Sequence, residues 1–172
     1  MSTSLAEKLG GWKISWRDMG TVAGLIIMVV VFASMSDVFM TQRNLVNILQ
    51  QSSINAVIAI GMTLVIISGG IDLSVGPVAA LAAVLGATLL VAGVPVPLVI
   101  LAALGVGLLC GLVNGALIAY AGLQPFIVTL GTLSLFRALA LIYTGGNPIL
   151  SLPNEFRRLF ASELLGLPVP VI

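Results

Sequence analysis

Apolar residues fill most of this sequence in long blocks, and short groups of glycine, proline and polar residues separate the blocks. A bilayer hydrocarbon core of roughly 30 Å needs a helix of about 20 apolar residues to cross it. Five blocks approach that length, and they cover approximately residues 20–36, 44–68, 74–94, 98–120 and 125–145. The pattern therefore predicts an all-α fold, a polytopic transmembrane helical bundle of about five spans with a Gly-Gly break between the second and third.

The flanking regions are richer in polar residues. We expect residues 1–19 to form a cytoplasmic amino-terminal segment, residues 20–146 the transmembrane region, and residues 147–172 an exposed segment with one short interfacial helix. Lysine and arginine residues are equally numerous on the two sides of the membrane, so their count does not set the orientation. Because the first helix usually determines the orientation, we expect the amino terminus to lie in the cytoplasm. A cleavable signal peptide is the alternative for the first span, but the spans that follow favour an uncleaved anchor. The basic residues are Lys8, Lys13 and Arg17 before the first span, and Arg43, Arg157 and Arg158 beyond it.

Composition excludes a water-soluble fold. The 172 residues are 59% hydrophobic and only 8% charged, against about 25% charged residues in soluble domains. Between Arg43 and Arg137 the sole ionisable carboxylate or base is Asp72. A net charge of +1 gives no basic field for nucleic acid. With no histidine, one cysteine (Cys110) and no phosphate-loop motif, the sequence predicts no metal, cofactor, disulfide or catalytic residue.

The break between the second and third blocks contains the most informative residue. Gly69 and Gly70 end one helix, and Ser74 is expected to cap the next, with Pro77 in its first turn. Asp72 lies between them. An ionisable group at a membrane span predicts a functional site, while a carboxylate ahead of a helix start also stabilises the helix dipole. Both interpretations stay open.

Glycines recur every fourth residue in the fourth block, at Gly107, Gly111 and Gly115, with Asn114 beside them. Small residues let membrane helices approach closely, and a polar amide can bond across the contact. The spacing predicts helix packing here, with Asn114 either on a permeation path or, as the favoured interpretation, holding helices together.

A polar stripe opens the second block. Asn44, Asn47, Gln51 and Asn55 share one helical face. Carboxamides both donate and accept, which suits sugar hydroxyls. Gln51 and Asn55 are candidates for a solute path, although hydration at the membrane surface is an equal alternative for Asn55. Asn44 and Asn47 are expected to be hydrated at that surface.

Arg137 falls near the middle of the fifth block. A charge there costs at least about 2.5 kcal/mol, so either residues 125–132 form a re-entrant piece, or Arg137 pairs with a carboxylate. We expect coupling to Asp72, which a charge swap of the two residues would test. Thr129 and Thr132 add hydroxyls, although such groups in membrane helices more often bond their own backbone.

Four sequence blocks together resemble a known family: NLVNIL with Gln51, AIGMTLVIISGGIDLSVG at residues 59–76, GLVNG at 111–115, and QPFIVTLGT at 124–132 followed by Arg137. In this combination the chain, from about Asp37 onward, closely resembles the permease subunits of bacterial ribose-type monosaccharide ABC importers.

The resemblance implies a non-enzymatic subunit of the bacterial inner membrane that works as a homodimer. A periplasmic sugar-binding protein would deliver a ribose-, xylose- or galactose-like sugar, and a separate ATP-binding subunit would drive alternating access. Residues 147–172 would then be periplasmic, where Glu155, Arg157 and Arg158 either help dock the binding protein or lie in a solvated loop. The translocation-path candidates are Asp72, Ser74, Gln51, Asn55, Asn114, Thr129, Thr132 and Arg137.

The sequence departs from this family in length. Residues 167–172 resemble the start of a further span, and the part that would contain the ATPase-docking loop does not follow. One alternative is therefore a truncated, non-transporting membrane scaffold or fragment that associates with a full-length permease. Another is a small homodimeric secondary transporter, against which the lone Asp72 argues because a coupling-ion site would be expected to have more ligands.

Overall fold

A computed structural model describes residues 16–164 and 167–168, with side chains described for residues 19–158 and for Ser162. Lys8 and Lys13, predicted to flank the first span, lie outside the described residues, as does the side chain of Arg17. So do residues 169–172, which were expected to begin a further span.

The described chain is almost entirely helical. Three helices are long and apolar enough to cross a membrane, α2, α4 and α5, and two shorter apolar helices correspond to the other predicted spans. The predicted all-α, polytopic fold is confirmed. The elements are α1 (Trp16–Met35), α2 (Gln42–Ile67), α3 (Val75–Val91), α4 (Val96–Ala119), α5 (Pro125–Thr144), α6 (Asn154–Ala161), and two-residue strands β1 (Glu163–Leu164) and β2 (Leu167–Pro168), which pair antiparallel.

The chain divides into two compact units, residues 1–48 and 49–172. In the first, α1 leads into a turn in which the rings of Phe32 and Phe39 stack with centroids 5.7 Å apart. The Thr41 hydroxyl accepts the backbone N–H of Asn44 at 3.4 Å and so caps the start of α2. The amide of Asn44 itself donates to the carbonyl of Phe39 at 2.8 Å. Asn44 therefore stabilises the turn that precedes α2.

The second unit is built on α3, which packs against both α4 and α5. Leu81 of α3, Cys110 of α4, and Phe136 and Ala140 of α5 form its buried apolar core. Hydrogen bonds join the start of α3 to the last turns of α4, and the loop before α3 to the first turn of α5. It follows that α3 and α5 begin at the same end of the unit, while α4 runs in the opposite direction.

Glycines in the left-handed conformation end the helices, as the sequence predicts. Gly69 follows α2 with φ of 83°, and Gly145 follows α5 with φ of 60°. Only glycine adopts this conformation without steric cost. Gly93, with φ of 82°, ends α3 slightly before the predicted boundary.

The fifth predicted span is one uninterrupted helix. Pro125 occupies the first turn of α5, where its missing N–H is not needed, and the helix continues to Thr144. The re-entrant alternative for residues 125–132 is therefore wrong, because nothing between Pro125 and Gly145 interrupts the backbone hydrogen bonds. The short helix predicted after the spans is α6.

Candidate functional site

The break between α2 and α3 is held by Asp72. Its Oδ1 accepts two hydrogen bonds of 2.7 Å, one from the backbone N–H of Ser74 and one from the Ser74 hydroxyl. Bonds to an ionised acceptor are short and strong. Ser74 occupies the cap position of α3, but its hydroxyl makes no capping bond. The carboxylate thus fixes the turn that starts the helix, and the serine oxygen can still accept a hydrogen bond from α4.

Asn114 connects this turn to α4. Its Nδ2 donates to the Ser74 hydroxyl at 2.8 Å, so the serine oxygen accepts one bond and donates another. Ser74 is 0% exposed and Asn114 6% exposed. The Oδ1 of Asn114 is buried and has no hydrogen-bond partner within the described residues. Unpartnered buried acceptors are rare in native proteins and call for an explanation.

Thr129 joins the same region from α5. Its hydroxyl lies 3.0 Å from the carbonyl of Ile71 and 2.9 Å from that of Pro125. One hydroxyl hydrogen is therefore shared between the loop and its own helix. Thr132 is also buried, but its hydroxyl contacts only carbonyls of α5, at 3.1 Å from Val128 and 3.4 Å from Thr129. The structure thus brings together Asp72, Ser74, Asn114 and Thr129, which we call the polar cluster.

Two clefts flank the polar cluster, with volumes of about 400 Å³ and 240 Å³. Asp72 and Asn114 line both, and the last turns of α2 supply apolar wall at Val65. Gly111 also lines both, with Gly115 beside the larger cleft and Gly107 beside the smaller. A carboxylate, an amide and exposed glycine backbone therefore surround an open space at one end of the three-helix core.

The predicted close packing at Gly107, Gly111 and Gly115 is not present in the described part of the chain. A Cβ atom built on any of the three would meet no heavy atom within 4 Å. The physical reason is the register of α4, which turns Val99, Cys110 and Asn114 inward. The glycines consequently form open walls of the clefts.

Gln51 and Asn55 do not join the polar cluster. Both are exposed on α2, and neither makes a side-chain hydrogen bond with the described residues. Asn55 lies about 18 Å along the helix from Ile67, the last residue of α2.

Arg137 does not pair with Asp72, and that expectation is wrong. Thr129, not Arg137, is the α5 residue beside the Asp72 loop, and the arginine follows two helical turns, about 12 Å, later. Asp72 instead bonds Ser74. The exposed Arg137 lines a different cleft, with Thr144 and Asn147.

Glu155, Arg157 and Arg158 lie on α6 and are exposed. Glu155 is in the first turn and Arg158 in the last. These positions suit the helix dipole, which favours an acid at the amino end and a base at the carboxyl end.

Comparison with known proteins places the chain in a family. Residues 44–163 match the family described as "Branched-chain amino acid transport system / permease component". The chain belongs to this permease family.

Relatives of this chain include proteins named as sugar transport permeases. The chain is 42% identical to the ribose import permease protein of Bacillus subtilis (strain 168) over 158 residues, which cover 91% of the chain and 49% of the relative. It is 37% identical to the D-allose transport system permease protein of Escherichia coli (strain K12) over 99% of the chain and 53% of the relative. It is 44% identical to that organism's galactofuranose transporter permease protein over 74% of the chain and 37% of the relative.

The chain spans about half the length of the ribose and allose relatives. No solved structure matches it.

Proposed function

We propose that this chain is part of a permease subunit that moves a monosaccharide across the bacterial inner membrane. The observation that carries the proposal is the identity of 37% to 42%, over most of the chain, with relatives named as ribose and allose permeases. A ribose-, xylose- or galactose-like sugar is the proposed solute. The permease makes and breaks no bond itself.

The polar cluster and its clefts are the proposed part of the translocation path. Asp72 and Asn114 both line the larger cleft, and the carboxylate of Asp72 is an acceptor for a sugar hydroxyl. The non-helical backbone of residues 68–74 adjoins this cleft, in line with the rule that irregular backbone at membrane depth lines cavities. Ser74 and Thr129 position these groups. Gln51, Asn55 and Thr132 stay candidates for other stages of the path.

The proposed assembly contains two permease copies, an ATP-binding subunit and a periplasmic sugar-binding protein. ATP hydrolysis by the partner would drive alternating access. If the amino terminus is cytoplasmic, as we propose, alternation of the spans would put the polar cluster toward the cytoplasmic side and α6 in the periplasm. The exposed charges of α6 are then available to the binding protein.

Uptake of labelled ribose tests the proposal. The chain is expressed together with the ATP-binding and sugar-binding proteins of a ribose importer, in a bacterium that lacks its own ribose permease. We expect uptake that disappears when the ATP-binding protein is catalytically dead. Uptake that ignores the ATP-binding protein would contradict the importer mechanism, and activity only beside a second, full-length permease would favour the scaffold alternative.

Orientation is tested by cysteine labelling. In a Cys110→Ala background, Asn147→Cys is expected to react with a membrane-impermeant maleimide in intact spheroplasts, whereas Ser68→Cys is expected to react only after the membrane is opened. The reverse pattern would overturn the proposed topology.

A further inference from the structure

Arg137 is a cation on a membrane-spanning helix that has no counterion among the described residues. It lies two helical turns, about 10 Å, before α5 ends at Thr144. Its side chain is exposed, and it forms no hydrogen bond or ion pair with residues 19–158. A guanidinium at this depth costs about 2.5–3.5 kcal/mol on insertion scales unless it reaches water or an anion.

The surroundings of Arg137 give it such access. A cleft of about 530 Å³ extends from the arginine, past Leu141 and Thr144, to Asn147 and Pro148 beyond the end of the helix. We call it the arginine cleft. Because the 20-residue helix α5 is about as long as the hydrocarbon core is thick, residues 147–148 lie near a membrane surface and Arg137 lies below it.

The opposite wall of the arginine cleft is apolar and smooth. It consists of Ala80, Ala83 and Ala87 of α3, which lie along one side of the helix, with Val84 between them. The polar side chains at the mouth are largely used by the backbone. The Thr144 hydroxyl contacts the carbonyls of Ala140 and Leu141. The side-chain amide of Asn147 donates to the backbone carbonyl of Gly145 at 3.3 Å. Arg137 is thus the main free donor in an otherwise apolar cleft.

We propose that the arginine cleft binds an anionic phospholipid, with the phosphate on Arg137 and an acyl chain along the alanine wall of α3. A guanidinium recognises phosphate oxygens through two parallel hydrogen bonds. Long apolar chains pack on a surface of small apolar side chains, which the alanines and Val84 of α3 provide. The ligand that satisfies both walls is an anion with a hydrocarbon tail.

Two other occupants, a neutral sugar and a small soluble anion, each match only one wall. A neutral sugar leaves the charge of Arg137 uncompensated and gains nothing from alanine. A small soluble anion compensates the charge but leaves the apolar wall exposed. The proposal is therefore independent of the solute that the permease carries.

The test uses the purified full chain in a neutral detergent. Binding of phosphatidylglycerol and of phosphatidylcholine is measured by native mass spectrometry, and thermal unfolding is measured with each lipid. We expect the chain to retain phosphatidylglycerol preferentially and to unfold at a higher temperature with it. In Arg137→Gln the retained phosphatidylglycerol is expected to fall about tenfold, as for the loss of one charge-assisted pair. Arg43→Gln removes an exposed arginine elsewhere and is expected to leave binding unchanged.

Two further arms keep the test decisive if Arg137→Gln does not fold. Ala80→Phe keeps the charge but fills the arginine cleft, and it is expected to lower phosphatidylglycerol binding. In the unaltered chain, glycerol 3-phosphate is expected not to displace the lipid. Equal retention of the two lipids by the unaltered chain, full binding by Ala80→Phe or by Arg137→Gln, or displacement by glycerol 3-phosphate would each overturn the proposal.

Discussion

The hydrogen bonds of the polar cluster predict an asymmetry between two truncations. Ser74→Ala removes the hydroxyl that donates to Asp72 and accepts from Asn114. It leaves the amide of Asn114, which is 6% exposed, with no side-chain partner at either end. A buried polar group that loses its partner costs about 1–3 kcal/mol, and we expect a destabilisation of that size.

Asn114→Ala acts differently because the Oδ1 atom of Asn114 already has no hydrogen-bond partner among the described residues. It removes one bond between helices, worth about 0.6 kcal/mol on average in a membrane protein. It also removes the buried Oδ1 that has no partner, and the Ser74 hydroxyl keeps its bond to Asp72. We therefore expect a loss below about 1 kcal/mol, although Asn114 is the larger side chain. The double variant is expected to cost less than the sum of the two, because the second truncation finds its partner already absent.

The chain supplies its own reporter for this measurement. Cys110 is the single cysteine and is 7% exposed in the core, so a thiol-reactive fluorophore in detergent reports thermal unfolding. At roughly 2–4 °C per kcal/mol, Ser74→Ala should lower the Tm by several degrees and Asn114→Ala by less. Ser134→Ala, at an exposed serine of α5, is the matched control. A larger loss in Asn114→Ala than in Ser74→Ala, or strictly additive losses, would refute the reasoning.

Five other substitutions, at four positions, test the same region. Asp72→Asn keeps an acceptor for Ser74, whereas Asp72→Ala leaves the buried N–H and hydroxyl of Ser74 without an acceptor. The Asn variant should therefore unfold at a higher temperature than the Ala variant. Equal Tm values in the fluorophore assay would contradict this role of Asp72. Gly69→Ala places a side chain at φ of 83° and should lower the free energy of unfolding by about 1–2 kcal/mol. Gly61→Ala lies inside α2, where the new Cβ meets no atom within 4 Å, and should raise it by about 0.5–1 kcal/mol. Both changes are measured as shifts in Tm. Gly111→Ala also meets no atom and should leave the Tm of the chain unchanged or raised; a clear fall would show that a neighbouring helix contacts this face.

The bounds of the helices were predictable because their causes are local. Glycine and proline act within a turn of their own position, so the break at Gly69, the start at Pro125 and the end at Gly145 follow from residue type alone. The error at the end of α3 has the same origin. The prolines after residue 94 favour a later boundary, while Gly93 already takes a left-handed conformation.

The polar cluster was only partly predictable. Asp72, Ser74, Asn114 and Thr129 are unusual in apolar segments, which made each a candidate. Their grouping depends on the packing of α3 against α4 and α5, and one acceptor is the backbone carbonyl of Ile71, which no residue type reveals. The Asp72–Arg137 pairing failed for the same reason: charge complementarity says nothing about the helical turns that separate Arg137 from the loop.

The bonds of the polar cluster also imply an order of assembly during synthesis. Asp72 and Ser74 are two residues apart, but the Asn114 and Thr129 bonds close over 40 and 58 residues. At about 5–20 residues per second, the ribosome needs some 2–8 s after Ser74 to reach Asn114. Throughout that interval Asp72 alone can satisfy both the N–H and the hydroxyl of Ser74. The two bonds from Ser74 to Asp72 are thus the ones in the polar cluster that can form before α4 and α5 have been synthesised.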